Sequence, residues 1–309
     1  MELEKNYIYQ VYLHGSFSKA AESLFITQPA LSIAIKKVEQ EIGAAIFNRN
    51  QRPLTLTNIG ELYINHIKQE LLLEQELKQQ IDDIHGMQAG DVIIGGTHYM
   101  NAYIFPPYIA QFNTKFPNIN ITITETRSDR LIELLHDNKL DFTFSCDEDA
   151  ICKFECYPAF SDTILLAVPT AYELSEYLLS QALSAQDIDQ GKHLADDVPT
   201  VDLRQFADLH FIRIDEHVNL GARTLKIFEE AGVSPTVKIK VPQMVTAYNL
   251  AESGIAATFT SDRLVRPETD SLYFFKLRSS LAVRHYYLLL PNRSYVPKAV
   301  KEFIRLFKK

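Results

Sequence analysis

Gln28, Ser32 and Lys36 recur every fourth residue directly after Thr27, with Pro29 following the first of them. Glutamine can pair with adenine edges, serine with several bases, and lysine with phosphate or guanine. Presented along one helix, the three types suit reading of nucleic acid. Thr27 is a good N-cap, and Pro29 falls in the first turn, where a missing N–H costs nothing. Leu31, Ile35, Val38 and Ile42 repeat at helical spacing as a buried stripe, and Gly43 ends the helix. Upstream, Ser18 reads as the cap of a shorter helix, in which Ala20 and Ala21 are small enough for close helix approach. Two capped helices around a tight turn have the layout of a helix-turn-helix. An ordinary amphipathic hairpin satisfies each local signal singly; their order is the specific feature.

The bulk composition adds little. The chain has 309 residues and a formal net charge of −8, long enough for two domains and no advertisement for a polyanion. Up to Thr57 the bases Lys5, Lys19, Lys36, Lys37, Arg49 and Arg52 nearly balance Glu2, Glu4, Glu22, Glu39 and Glu41. Weak total basicity predicts modest non-specific binding, although Lys36, Lys37, Arg49 and Arg52 fall close together. MELEKN is acidic and no signal-type apolar run follows it. Runs such as Ile164 to Val168 are too short to span a bilayer. A cytoplasmic protein without membrane partners is the expectation, and three cysteines fit a reducing compartment.

The N-terminal stretch resembles the winged helix-turn-helix of the LysR-type transcriptional regulators. The matching residues are Gly15-Ser16-Phe17, Ala20-Ala21, Leu24, Gln28-Pro29-Ala30-Leu31-Ser32, Ile35, Glu39, Gly43, Phe47, Arg49, Leu56-Thr57 and Gly60. In that family the wing lies between Phe47 and Thr57, where Arg49, Arg52 and Pro53 stand. The resemblance implies that Gln28, Pro29, Ser32 and Arg52 touch double-stranded DNA. Ser18, Ile33, Lys36, Lys37 and Arg49 complete the candidate DNA-binding set. Ile33 stands where the family usually has arginine and lies roughly opposite the core stripe. An exposed isoleucine there either packs on thymine methyl groups or simply tolerates exposure.

From Asn58 to Met87 there is no proline, and Ile59, Leu62, Tyr63, Ile67, Leu71, Leu73, Leu77, Ile81 and Ile84 recur mostly three or four apart. A helix of that span is about 40 Å long. Its apolar stripe packs on its own chain or on a second copy, and reading a paired site favours the copy. In the family this is the linker helix that dimerises antiparallel, and a tetramer has family precedent. Met87-Gln88-Ala89-Gly90 would be the hinge.

Beyond Asp91, short strands alternate with helices. Strands are predicted over Asp91–Gly96, Ile119–Thr124, Asp141–Ser145, Thr163–Val168, His210–Ile214, Val237–Val241, Ile255–Phe259, Leu272–Phe275 and Arg284–Leu290. Helices are predicted over Ala102–Phe116, Leu131–Asn138, Arg223–Ala231, Gln243–Ser253 and Lys298–Phe307. The alternation argues for parallel α/β layers. GGTHYMNAYIFPPYIAQFNTKFP, LIELLHDNKLDF, LKIFEEAGVSP and TAYNLAESGIAATF resemble the LysR-family effector domain, which has a periplasmic-binding-protein-like fold. Ala256 and Ser261 depart from the usual glycine and proline. The expected organisation is a DNA-binding domain over 1–58, a linker helix over 59–88 and an effector domain over 89–309. Its subdomain I would comprise 91–161 and 266–309, and subdomain II 162–265, with crossings near Ser161 and Val265.

In open α/β sheets a ligand sits beyond the carboxyl ends of the strands. Thr97, His98, Tyr99 and Asn101 follow the first strand into a helix N-terminus, which suits an anion. Ser128 follows the second strand similarly, and Thr246 lies near another helix start. These six are the candidate effector contacts, for a small carboxylate, amino acid or other metabolite. Simple capping by Thr97 and Ser128, and a structural His98, are the plain alternatives. Cys146, Cys152 and Cys156 lack paired C-x-x-C clusters or histidine partners, so no metal is expected. They are ordinary thiols or, in a second reading, redox sensors. No P-loop, dinucleotide glycine pattern or G-x-S-x-G is present, so neither an enzyme nor a cofactor is expected. The expected function is an effector-modulated, sequence-specific transcriptional regulator, with RNA polymerase as a candidate partner.

If Ile33 reads thymine methyls, Ile33→Ala should shrink the preference for thymine-containing over uracil-substituted sites in a gel-shift competition. An unchanged ratio would sink the methyl contact.

Overall fold

The computed structural model describes residues 3–49, 53–84 and 90–307. It divides into two compact units, Met1–Ile84 and His85–Lys309.

In the first unit, α1 (Leu3–His14), α2 (Phe17–Ser23) and α3 (Gln28–Ile42) pack around Ile8, Val11, Ala20, Ala21, Leu31 and Ile35, all essentially buried. Gly15 turns the chain between α1 and α2 at φ +58. The cap of α2 is Ser16, not Ser18: its hydroxyl accepts from the Lys19 backbone N–H. Phe17 packs edge-on to Phe47 and so sets the helix start two residues earlier than Ser18 suggests. Thr27 caps α3 as expected, and Gly43 ends it at φ +76. Leu31, Ile35 and Val38 are buried, whereas Ile42 is 39% exposed because the last turn of α3 runs past the small core.

A two-stranded ribbon follows: β1 (Phe47–Asn48) pairs antiparallel with β2 (Thr55–Leu56). Thr57 then starts α4 (Asn58–Ile84), accepting from the Gly60 N–H and donating to Ala45 O. Ile64 and Ile67 of α4 join the reader core. Leu62, Leu73, Leu77, Ile81 and Ile84 stay largely exposed within this single chain.

The second unit is a pair of sheets sharing one long strand. In chain order it contains β3 (Gly90–Gly96), a π-turn (Met100–Ile104) running into α5 (Phe105–Lys115), β4 (Ile119–Glu125), α6 (Ser128–His136), β5 (Thr143–Ser145) and α7 (Glu148–Ile151). Next come β6 (Glu155–Pro169), α8 (Glu176–Leu179), α9 (Ala185–Asp189), β7 (His210–Ile214), α10 (Asn219–Ala231) and β8 (Thr236–Val241). The rest are α11 (Met244–Glu252), β9 (Thr258–Ser261), β10 (Leu272–Lys276), β11 (Val283–Leu290) and α12 (Lys298–Leu306). Pro106 and Pro107 supply no N–H at the start of α5, and the turn before them is wound wide.

The first half of β6, Glu155–Thr163, pairs with β11, which also pairs with β5. The second half pairs with β9 and β10. Among the described residues, only β3–β4, β7–β8 and single bridges at Ile94, Val201 and Phe211 are parallel, so the expected parallel layers are a mixed sheet system. β9, β10 and β11 each pair antiparallel with β6. β6 starts at Glu155 rather than Thr163, because its first half is half-exposed and carries no apolar run. Its continuous run Ile164–Val168 is fully buried, as a strand covered on both faces should be.

The first crossing falls within β6, near Ser161. The return does not fall near Val265: β10 pairs with Leu165–Pro169 beside β9, so the chain comes back only between Lys276 and β11. Side-chain patterns cannot show this, because β10 is apolar in either sheet.

A Cβ on Gly60 would stand 2.0 Å from Ile46 O, whereas one on Gly90 meets nothing within 4 Å. Gly60→Ala should therefore lower stability by about 1–3 kcal/mol or more, and Gly90→Ala should leave it near wild type. Urea unfolding of the full-length variants checks the contrast.

Candidate reading surface and ligand cleft

On the first unit, Gln28, Pro29, Ile33, Lys36 and Lys37 are exposed along α3, and Ile33 is 70% exposed. Ser18 is exposed on α2. Ser32 is half-buried and accepts a hydrogen bond from Arg49 Nη1 at 3.1 Å. Arg49 Nη2 donates to Glu39 Oε2 at 2.7 Å, and the guanidinium lies over the Phe17 ring. Glu39 Oε1 in turn accepts from the Ile46 N–H at 2.9 Å. Arg49 and Ser32 are thus already engaged, tying the ribbon to α3. Lys37 has only a long exposed pair with Glu41. Arg52 lies outside the described residues. The turn before α3 carries Phe25 at φ +55 and almost fully exposed.

On the second unit, the cleft between the two sheets holds a cavity of about 300 Å³. Thr97, Tyr99 and Ser128 line it. A smaller chamber of about 190 Å³ shares Thr97 and Ser128 and adds His98. Asn101 is not on the wall of either: its amide donates to Gly96 O and Glu125 Oε2, clasping β3 to β4. His98 Nδ1 lies 3.3 Å from Glu125 Oε1. Asn101 foremost, with His98, holds the Glu125 carboxyl below its ordinary range. Thr246 points to the exposed side of α11; Gln243, Met244 and Val245 line the cavity instead. A helix start presents its first residues inward, and the helical turn carries Thr246 away from them.

The floor of the cavity was not legible as a site in the sequence. It carries Cys146 after β5 and Arg284 and Tyr286 on β11. Arg284 is registered opposite Asp162 across β6 and β11 and pairs with it through Nε (2.7 Å) and Nη2. Ser261 Oγ donates to Asp162 at 2.8 Å, and the Tyr99 hydroxyl sits 3.0 Å from Asp162 and 2.9 Å from Ser261. Burial opposes the Arg284 charge, but Asp162 outweighs it and holds the guanidinium protonated. Burial, aided by Asp162, pushes the Tyr99 hydroxyl well above its ordinary range. The departure at Ser261 thus has a structural role, since proline there would carry no hydroxyl.

Burial also pushes up the Cys146 thiol, with Arg284 and Arg223 opposing. A thiol held protonated is a poor oxidant target. Cys152 is exposed and Cys156 half-buried. Among the described residues no cluster of three or more His, Cys, Asp or Glu could hold a metal. Among the described residues, no helix is long and apolar enough to cross a membrane.

A helix-turn-helix on one unit and a two-sheet ligand cleft on the other define a DNA-binding transcriptional regulator with an effector-binding domain. The chain belongs to the LysR family: residues 85–309 match the LysR substrate binding domain, and residues 6–61 match the bacterial regulatory helix-turn-helix protein, lysR family. It is 24% identical over 302 residues to the HTH-type transcriptional regulator YcgK of Bacillus subtilis (strain 168), covering 97% of this chain and 91% of that one. Its fold is similar to full-length CbnR complexed with target DNA (TM-score 0.62, 16% identity, covering 100% of this chain and 99% of that one). It is likewise similar to a full-length OxyR variant from Pseudomonas aeruginosa (TM-score 0.65, 19% identity, covering 99% and 95%).

Asp162→Ala should cost about 3–5 kcal/mol by leaving Arg284 buried and unpaired. Pairing the change with Arg284→Met should recover much of the loss. Denaturant unfolding of both variants decides it; equal losses would mean the pair is not the source.

Proposed function

We propose that two or more copies of this regulator associate through α4 and read paired DNA half-sites with α3, under control of a metabolite bound in the cleft. The observation that carries the pairing is the exposed apolar stripe Leu62, Leu73, Leu77, Ile81 and Ile84 along a 27-residue helix. Such a stripe needs an apolar partner, and a second copy supplies a matching one. Gln28, Pro29, Ile33, Lys36 and Lys37 make the direct DNA contacts in this reading, with Ser18 at the backbone. Arg49 holds Ser32 and the ribbon in place and meets phosphate only on its exposed side. The thin positive charge of the reader leaves shape and pairing to supply much of the affinity.

Thr97, Ser128 and Tyr99 form the effector wall in the same reading. The starts of α6, α10 and α11 also face the cavity, and none has a side-chain cap. Their free N–H groups suit an anionic group on the effector. Closure of the cleft on such a ligand acts on DNA only if the ligand prefers one of two conformations. RNA polymerase is the partner that would convert the changed footprint into transcription.

Footprinting of the full-length protein on genomic DNA should show discrete sites with two half-sites on one face of the duplex. Leu73→Glu with Leu77→Glu should shift the protein to monomer in analytical ultracentrifugation and weaken site binding at least tenfold. An unchanged oligomer would remove α4 as the pairing surface, and uniform protection along DNA would overturn sequence-specific reading.

A further inference from the structure

The chemistry of the cleft floor and rim narrows the ligand beyond an effector in general. Tyr286 is 5% exposed and lines the cavity, and its hydroxyl is within hydrogen-bonding reach of the Cys146 thiol, a weak partner. Arg284 spends Nε and Nη2 on Asp162; its Nη1 makes no hydrogen bond to a described residue. Two donors on the cavity floor are therefore open to an acceptor on a ligand. Because Asp162 neutralises Arg284, the floor offers donors without a surplus positive charge. The uncapped starts of α6, α10 and α11 also line the cavity and add further N–H groups.

The rim has the opposite character. Asp129, Asp147 and Glu216 reach the cavity. Asp129 is paired with Arg127 and Glu216 with Arg213, whereas Asp147 has no ion pair among the described residues. A ligand that was only an anion would meet donors below and an unpaired carboxylate above. Between them Phe144, Met100, Ile132 and Met244 give an apolar wall. The volume, about 300 Å³, is at the small end for ligand pockets.

We propose that the cleft binds a small apolar amino acid as its zwitterion, with carboxylate toward Tyr286 and Arg284 and ammonium at Asp147; this rests on the cleft being the effector site. The apolar side chain lies against Phe144 and Met244. The cleft thus selects for two opposite charges on one small molecule, which neither a simple carboxylate nor an amine provides.

The test is calorimetric titration of the full-length protein with L-leucine, L-methionine and L-phenylalanine. The controls are 4-methylpentanoate and 3-phenylpropanoate, which lack the amine, and phenethylamine, which lacks the carboxylate. At least one amino acid should bind, and its matched control should bind at least tenfold more weakly. Tyr286→Phe and Asp147→Asn should each weaken the amino acid about tenfold. Asn at 147 keeps an oxygen able to cap α7, as the aspartate does through the Asp149 N–H, so this variant should fold even if Tyr286→Phe does not. Binding of a carboxylate as tight as its amino acid, weakened by Tyr286→Phe but not by Asp147→Asn, overturns the zwitterion and leaves the cleft as the effector site. Amino-acid binding that ignores both substitutions overturns the cleft itself as its site. Absence of binding by all three amino acids at millimolar concentration overturns the proposal.

Discussion

Asp162 and Arg284 face each other across β6 and β11 at the point where β6 passes from one sheet to the other. Both side chains are essentially excluded from solvent. A charge in that position is tolerated only if paired and hydrogen-bonded, so the pair fixes how closely the two strands must approach. Ser261 of β9 and Tyr99 of the segment after β3 complete the carboxylate's hydrogen bonds. Four separate stretches of chain are thereby held at one junction. The cavity floor is the other face of the same junction, so the geometry of the cleft inherits the geometry of the pair.

The reader has a corresponding joint in Glu39. One carboxylate oxygen takes the backbone N–H of Ile46 and the other takes Arg49. Arg49 then reaches Ser32 and covers Phe17. A single acidic side chain on α3 thus sets the ribbon against the helix and steadies the flank of the reading face. This is why an arginine in the ribbon can be part of a DNA-binding unit without being free for DNA. In the proposed reading, the exposed Gln28, Pro29, Ile33, Lys36 and Lys37 are left to meet the duplex directly.

Local signals were sufficient wherever one short segment carried its own evidence. Thr27, Pro29 and Gly43 bounded α3 correctly because capping depends on a few adjacent residues. Ile164–Val168 announced a strand through its short continuous apolar run, and the structure buries it fully. Ser18 misled because Ser16 and Ser18 are equal as caps in isolation, and the contact of Phe17 with Phe47 chooses between them. The first half of β6 and the sheet membership of β10 were hidden for a similar reason. Their residues are compatible with more than one partner, and hydrogen-bond pairing over long sequence separations decides.

The sequence by itself determined the family, the reader with its capped α3, the long amphipathic α4 and the approximate cleft wall at Thr97, Tyr99 and Ser128. The family follows from the resemblance of those residues; the reader, the linker and the residues after the strands follow from periodicity, capping and loop position, all written within a few turns of chain. Only the tertiary structure decided that Asn101 clasps strands, that Thr246 faces outward and that Arg284, Tyr286 and Cys146 form the floor. Arg284 and Asp162 lie 122 residues apart, and neither stretch marks the other. A buried ion pair is a property of two strands meeting, and its partner is unreadable until the sheet is assembled.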